Sequence, residues 1–244
     1  MLLTIDVGNS RIKVAVFEHN KQLDFFNFET KEALKKFEKI FKKYPNLKKI
    51  ILSSVGKLEN EVVDFIQNRF PTEIITHKSN FPFTNLYATP ETLGIDRMVL
   101  AAGATLMFPN QNRLIIDAGT CITYDFVNSE NQYLGGAISP GIKIRYKSLN
   151  DYTSKLPLLS INENFKIIGN STKSSIHSGV INGVIFEIEG FISQYSLKNQ
   201  DLTIILTGGD ADFLAKRFKN TIFANSNFLL ESLNLLSLYT EKND

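Results

Sequence analysis

Leu2 to Ile5 is a short apolar run that stops at Asp6, and Val7-Gly8-Asn9-Ser10 behind it has the composition of a tight turn. Ile12, Val14 and Val16 then alternate with Lys13, Ala15 and Phe17, which predicts a second strand, and Leu23 to Phe28 predicts a third after the turn Glu18 to Lys21. Leu34, Phe37, Ile40 and Phe41 recur at helical spacing over Lys31 to Lys43, with Thr30 placed to cap that helix. Lys49 to Ser53 reads as a strand, Glu59 to Phe70 as a helix and Glu73 to Thr76 as a strand, so the order is β-β-β-α-β-α-β. A helix over Thr92 to Phe108 follows, with Pro109 to Asn112 as its exit turn.

The pattern then restarts. Leu114-Ile115-Ile116 ends in Asp117, followed by Ala118-Gly119-Thr120, with strands predicted over Ile122 to Val127 and Gln132 to Ile138. A helix is expected over Gly141 to Leu149 and a long one over Thr172 to Tyr195. A strand over Leu202 to Leu206 then leads into Thr207-Gly208-Gly209-Asp210, and a helix over Ala211 to Phe218 follows. An Asp-x-Gly turn therefore closes an apolar strand twice, at positions 111 residues apart, nearly half the chain. This predicts an α/β protein of two similar halves, residues 1–112 and 113–244, facing each other across a cleft.

Composition narrows the function. At 244 residues the chain suits one large or two small domains, and 43% apolar residues can fill a core. With 27 basic against 25 acidic residues, the net charge of +2 offers no electrostatic case for nucleic acid. The lysines between Lys35 and Lys49 read as a solvated helix face and its exit turn. Cys121 is the only cysteine, which rules out an internal disulfide and a cysteine-based zinc site and suits a reducing compartment. No leader and no apolar run of about 18–20 residues is visible, so a cytoplasmic protein with no membrane partner is expected. His19, His77 and His177 are scattered without metal-ligand spacing and read as structural.

The paired turns point to phosphate chemistry. A nucleoside triphosphate needs backbone N–H groups close to its oxygens, a carboxylate on the metal side and a cation. Gly8 and Gly119 lack the Cβ that would keep phosphate away from the backbone, while Asn9, Ser10 and Thr120 offer hydrogen-bonding side chains. Asp6 and Asp117 supply carboxylates, and Arg11 or Lys13 can meet phosphate from the second strand. No Gly-x4-Gly-Lys-Ser/Thr loop and no His-Arg-Asp or Asp-Phe-Gly set occurs, which excludes a Walker-type cradle and a protein-kinase site.

Asp6-Val7-Gly8-Asn9-Ser10-Arg11-Ile12-Lys13 resembles the N-terminal phosphate motif of type III pantothenate kinases. Tyr87, Pro90, Leu93 and Gly94 fit the same family's Tyr-x-x-Pro-x-x-Leu-Gly stretch, and Gly94-Ile95-Asp96-Arg97 its Gly-x-Asp-Arg motif. Asp117-Ala118-Gly119-Thr120, Gly135 to Gly141, Thr172 with Ile176 and Gly179, and Thr207 to Asp210 resemble its later motifs in order. Ser10 stands where Thr is usual, Ser171 where Asn is usual before Thr172, and Cys121 where Ala is common.

The resemblance implies an actin-like ATPase fold of two ribonuclease H-like halves related by a pseudo-twofold. It implies transfer of phosphate from ATP to pantothenate, with Mg2+ and a monovalent cation (K+ or NH4+) as cofactors and a homodimer as the assembly. The whole stretch from Asp6 to Lys13, with Thr120, would bind ATP; Asp6 would lie on the magnesium side through water, and Asp117 would hold the monovalent cation. Asp96 would be the catalytic base, and Tyr87, Gly94, Ile95, Asp96, Arg97 and Thr172 would bind pantothenate. Taken alone, Asp96 also reads as a helix N-terminal aspartate, Arg97 as one half of a surface ion pair, Tyr87 as a core aromatic and Thr172 as a helix cap. Two other functions share these motifs: another small-metabolite kinase of the superfamily, and a non-catalytic regulatory relative.

Overall fold

The computed structural model describes residues 1–8, 11–53, 58–163, 165–199, 201–218 and 222–243. Asn9 and Ser10 lie outside them. The chain forms two compact units, residues 1–107 with 227–244, and residues 108–226.

The first unit holds β1 (Leu2–Val7), β2 (Arg11–Glu18), β3 (Lys21–Glu29), α1 (Ala33–Lys43), β4 (Lys49–Leu52), α2 (Asn60–Gln67), β5 (Thr72–Ile74), a short β6 (Thr84–Asn85) and α3 (Ile95–Met107). Its sheet runs β3-β2-β1-β4-β5. β1 pairs antiparallel with β2 and parallel with β4, β2 pairs antiparallel with β3, and β4 pairs parallel with β5. Both faces of this sheet are covered, so β1, β2 and β4 carry near-continuous apolar runs. Leu3, Ile5, Val14 and Ile50 pack with Phe37 of α1 and Ile66 of α2 on one face. Ala15, Phe17 and Ile51 pack with Val99 and Ala102 of α3 on the other, joined by Leu230, Leu233 and Leu236 of the C-terminal helix.

The second unit holds β7 (Asn112–Ala118), β8 (Cys121–Val127), β9 (Gln132–Pro140), α4 (Ile142–Asp151), α5 (Thr172–His177), α6 (Gly183–Lys198), β10 (Leu202–Thr207), α7 (Ala211–Ala215) and β11 (Phe223–Ala224). Its strands run β9-β8-β7-β10-β11, with β7–β8 and β8–β9 antiparallel and β7–β10 and β10–β11 parallel. Strand for strand this repeats the order and sense of the first unit. Leu114, Ile116, Ile122 and Leu206 meet Tyr146 of α4 and Val184 and Ile188 of α6 in one core.

Three features depart from the sequence reading. α8 (Phe228–Asn243) groups with residues 1–107, although the division at 112/113 puts it with the second half. It crosses α3 so closely that a Cβ on Gly103 would lie 1.9 Å from the Ser232 Oγ. A small residue lets the two backbones approach there, an effect of distant packing that local pattern does not report. The expected helix from Thr172 to Tyr195 is interrupted by a π-helical stretch over Ser178–Asn182 and runs on to Lys198. The helix after Asp210 is a short one, Ala211–Ala215.

Candidate active site

In the first unit, Asp6, Lys13 and Asn27 stand in one register row across β1, β2 and β3. The side chains of such a row share a sheet face. Asp6 is half-buried at the carboxyl end of β1, where Ser53, just past β4, donates its hydroxyl to Oδ1 at 3.2 Å. Burial raises the Asp6 pKa above the ordinary carboxylate value, Lys13 and the Ser53 hydroxyl oppose that rise, and the charge of Asp96 adds to it. Four of this unit's polar side chains are thus electrostatically one cluster. Arg11 is engaged with the outer member of that row: its Nε donates to Asn27 Oδ1 at 2.6 Å and its Nη2 to the Asn27 carbonyl at 3.2 Å. Lys13 is the phosphate-facing candidate of the two. The side chains of Val7 and Ile12, at 9% and 0% exposure, belong to the core, so only their backbone could meet a ligand.

Asp96 lies in the first turn of α3 and is exposed, whereas Arg97 beside it is buried. The Asp96 Oδ1 accepts from the Arg97 backbone N–H at 2.8 Å. The same oxygen sits over Gly94: a Cβ there would lie 2.4 Å from it. The Gly94 carbonyl in turn accepts from Met98 N–H at 3.1 Å, opening the helix. Glycine at this position is what lets the carboxylate fold back over the helix start. Arg97 stacks its guanidinium over the Tyr87 ring at 5.8 Å, so its burial removes the surface-ion-pair reading. Tyr87 is half-buried at a turn closed by its N–H donating to Asn85 Oδ1. His77 holds the Leu93 carbonyl through Nε2 at 2.8 Å, steadying the segment before Gly94.

In the second unit three glycine-bearing segments converge on the Asp117 turn. The Gly119 N–H donates to the Cys121 carbonyl at 3.0 Å, and Thr120 at the tip is exposed. The Gly141 N–H donates to the Thr120 carbonyl at 3.0 Å, and a Cβ on Gly141 would stand 2.3 Å from the Gly119 carbonyl oxygen. On the other side Gly208, at φ +95°, lies against the turn so tightly that a Cβ would meet Asp117 Oδ1 at 2.3 Å, while the Asp210 N–H donates to the Ala118 carbonyl at 2.9 Å. Burial raises the Asp210 pKa, with Lys143 of α4 lowering it. By contrast, a Cβ on Gly119 would meet only ordinary contacts at 3.6 Å or more, and one on Gly209 nothing within 4 Å. The protein itself does not require glycine at those two positions; a ligand that closes on the backbone would.

The sequence profile of the type III pantothenate kinase family matches residues 2–194. A protein of that name from Flavobacterium johnsoniae is 56% identical over 100% of both chains, one from Flavobacterium psychrophilum 57% over 98% of this chain and 99% of its own, and one from Christiangramia forsetii 49% over 97% of each. The chain belongs to the type III pantothenate kinase family. Among solved structures it is similar to a protein from Campylobacter jejuni described as a Baf-family transcriptional activator, with a TM-score of 0.65 at 20% identity over 98% of this chain and 99% of that one. It is also similar to a protein from Sinorhizobium meliloti described as a 2-dehydro-3-deoxygalactonokinase, with a TM-score of 0.60 at 11% identity over 100% and 99%. At such identities these likenesses concern the fold, and together with the two matching sheets they make it the two-domain actin-like fold.

Within the family frame, the structure gathers Asp6, Gly8, Lys13 and Asp96 in one unit and Asp117, Gly119 and Thr120 in the other. Thr172 stands apart from the Asp117 turn in the chain's order of elements, at the first position of α5. There it lines a cavity of about 500 Å³ with Arg145, Leu149, Ser175, Ile176 and Val180. It is not the cap of that helix: Ser171 is, accepting from the Ser174 N–H at 3.3 Å. Ser53, Gly141 and Gly208 are structural partners of the acidic turns that the linear motifs leave without roles. For Ser53 the signal was topological, since a β4 parallel to β1 must bring its carboxyl end to Asp6.

Proposed function

We propose that this chain transfers the γ-phosphoryl group of ATP to pantothenate, giving ADP and 4′-phosphopantothenate, the first step of coenzyme A biosynthesis. The observation that carries the reading is the exposed Asp96 carboxylate, fixed over Gly94 beside the buried Arg97 and coupled to the Asp6–Lys13 pair, in a chain whose full-length relatives bear the name of that activity.

In this reading the substrate hydroxyl oxygen attacks the γ-phosphorus while Asp96 accepts its proton. The bond from phosphorus to the bridging oxygen breaks, and ADP leaves with the electron pair. Help of this kind typically contributes about 10²–10⁴-fold. Arg97, aligned over Tyr87, recognises the anionic end of pantothenate with a planar fork of donors, and Gly94, Ile95 and Thr172 complete the substrate contacts. Lys13 and the backbone from Asp6 to Ile12 face the phosphates, joined by Thr120; Asn9, Ser10 and Arg11 are assigned there by the family motif.

The oxygen donors fit the ions the family implies. Asp6, a carboxylate that burial disfavours as an anion, would gain from Mg2+ reached through water. Asp117 stands in register with Thr123 and Thr207, residues whose oxygens are of the type that suits K+ or NH4+. When bound, these cations neutralise phosphate charge that the carboxylates would otherwise repel. A homodimer agrees with the apolar side chains the second unit leaves exposed, Ile138 at 62% and Phe186 at 56%. A cytoplasmic site agrees with the single thiol and with the described residues forming no helix long and apolar enough to cross a membrane.

The test is pantothenate-dependent ADP release with and without potassium, with Asp96→Asn as control. Release that requires pantothenate and falls by two orders of magnitude or more in the variant is expected; ADP release indifferent to pantothenate would refute the reading.

A further inference from the structure

The Asp117–Thr120 turn rests on the Pro140–Gly141 corner, through the Gly141 N–H to the Thr120 carbonyl and the close approach of Gly141 to the Gly119 carbonyl. That corner is itself held from α6. Glu187 projects from α6 and receives three donors: the Ser139 hydroxyl on Oε1 at 2.5 Å, the Tyr124 hydroxyl on Oε1 at 2.8 Å, and Arg145 Nη2 on Oε2 at 2.5 Å. Arg145 then donates its Nε to the Pro140 carbonyl at 2.7 Å. One carboxylate therefore ties β8, β9 and α4 together at the residues immediately before Gly141. With side chains 24% and 21% exposed, Glu187 and Arg145 are not a solvated surface pair. Burial works against the Glu187 charge, yet the three donors outweigh it and hold its carboxyl below the ordinary range, so it is an anion at neutral pH.

We infer that Glu187 is a positioning residue for the phosphate and cation turn, acting through Arg145 and Ser139 on the Pro140–Gly141 corner that carries the Thr120 carbonyl. The inference rests on the proposed role of that turn. No atom of Glu187 needs to meet substrate. Its effect is geometric: Arg145 is a rigid fork with one prong on Glu187 and one on Pro140, so losing the carboxylate frees the fork and lets the corner, and with it the turn, shift. The consequence falls first on binding of ATP and the monovalent cation; the pantothenate contacts assigned to Arg97 and Tyr87 lie outside the network, and only Thr172 shares a cavity with Arg145.

The experiment uses the full chain with Glu187→Gln and Arg145→Lys, each removing the fork-to-carboxylate geometry while keeping volume, and Tyr124→Phe, which deletes one hydroxyl and leaves the fork in place. Steady-state constants for ATP, potassium and pantothenate are measured beside backbone amide exchange at Gly141. Glu187→Gln and Arg145→Lys are expected to raise the KM for ATP and the half-saturating potassium roughly 10–100-fold, the range that partners behind a coordinating group usually command. In Glu187→Gln the pantothenate KM should stay within about twofold, whereas Arg145→Lys can also move it because Arg145 lines the Thr172 cavity; in both, exchange at Gly141 should be faster, and Tyr124→Phe should stay near wild type. Should either of the first two variants not fold, the other carries the test. Unchanged ATP and potassium constants with unchanged Gly141 exchange would overturn the inference, as would exchange that accelerates evenly over the whole second unit. If the wild-type chain releases no ADP with pantothenate, it is the proposed function that fails; exchange at Gly141 then still decides whether Glu187 holds the corner.

Discussion

Gly94→Ala separates positioning of the proposed base, Asp96, from stability. The new Cβ would lie 2.4 Å from Asp96 Oδ1, about 1 Å inside van der Waals contact. The carboxylate must therefore swing away, losing its bond from the Arg97 N–H. That hydrogen bond is worth about 1.5–3 kcal/mol with a charged acceptor, while replacing glycine returns about 0.4–1 kcal/mol through the unfolded chain. The net cost is about 1–2 kcal/mol, a Tm lowered by roughly 2–8 °C. Catalysis should suffer more, since a 1 Å misplacement costs about 10²-fold. Initial rates of ADP release at saturating ATP and varied pantothenate, alongside calorimetry, measure both. The sharper version is a cycle with Asp96→Asn. If both changes act through the same carboxylate, Gly94→Ala adds almost nothing to the rate loss once Asp96 is gone. Multiplying losses, or a Gly94→Ala enzyme with wild-type kcat, would refute the assignment of Asp96 as base and of Gly94 as its seat.

The glycines of the second unit divide into two kinds. Gly119→Ala and Gly209→Ala meet no close contact within the protein, so their Tm should hold within a few degrees while the KM for ATP rises at least tenfold if a nucleotide closes on that backbone; isothermal calorimetry with ATP checks this. Gly208→Ala places a side chain at φ +95° and against Asp117 Oδ1 and the Ala118 carbonyl; a loss of about 1–3 kcal/mol from the backbone alone, more from the clash, should show in chemical denaturation. Asp6→Asn tests the pH linkage. A carboxyl whose folded pKa is raised binds its proton more tightly in the native state, so its contribution is most favourable below the unfolded value of about 3.9 and is lost as pH rises through the raised folded value. At neutral pH Asp6→Asn should thus raise Tm and flatten its pH dependence above pH 4 while abolishing kinase activity; a lower Tm at pH 7 would contradict it.

The longer strands were legible because each writes its own apolar or alternating run, and in each half the first run ends in an Asp-x-Gly turn, at Asp6 and at Asp117; the two-residue β6 and β11 carry no such run. Elements whose existence depends on distant packing were not. α8 lies beyond the last element that the sequence pattern predicts, and it is buried against Ala15, Phe17 and Ile51 of the first sheet, more than 170 positions away, and against Gly103, more than 120 positions away. The acidic residues of the site were visible as strand-end carboxylates, but their environments were not. Only the fold shows that Arg11 is spent on Asn27 while Lys13 stays beside Asp6, that Arg97 is buried against Tyr87, and that Val7 and Ile12 face the core.

The two hairpins differ in residues that bear on the roles proposed for them. In the first, Asp6 pairs across the ladder with Lys13; in the second, Asp117 pairs with Thr123. The second turn is one residue tighter: Gly119 closes onto Cys121, two residues on, whereas Gly8 closes onto Arg11, three residues on. The register position opposite the first carboxylate thus carries a side-chain cation, and the one opposite the second a neutral threonine, whose hydroxyl donates to Asp125 Oδ2 at 3.0 Å. If the second copy meets phosphate with Thr123 where the first has lysine, its missing positive charge must come from a diffusible ion. Replacing Thr123 by Lys should then place that charge permanently: potassium dependence of ADP release should weaken or vanish, even if the rate at saturating potassium falls. An enzyme with Thr123→Lys that folds, turns over and still needs the same potassium concentration would show that Asp117 does not depend on the ion in this way.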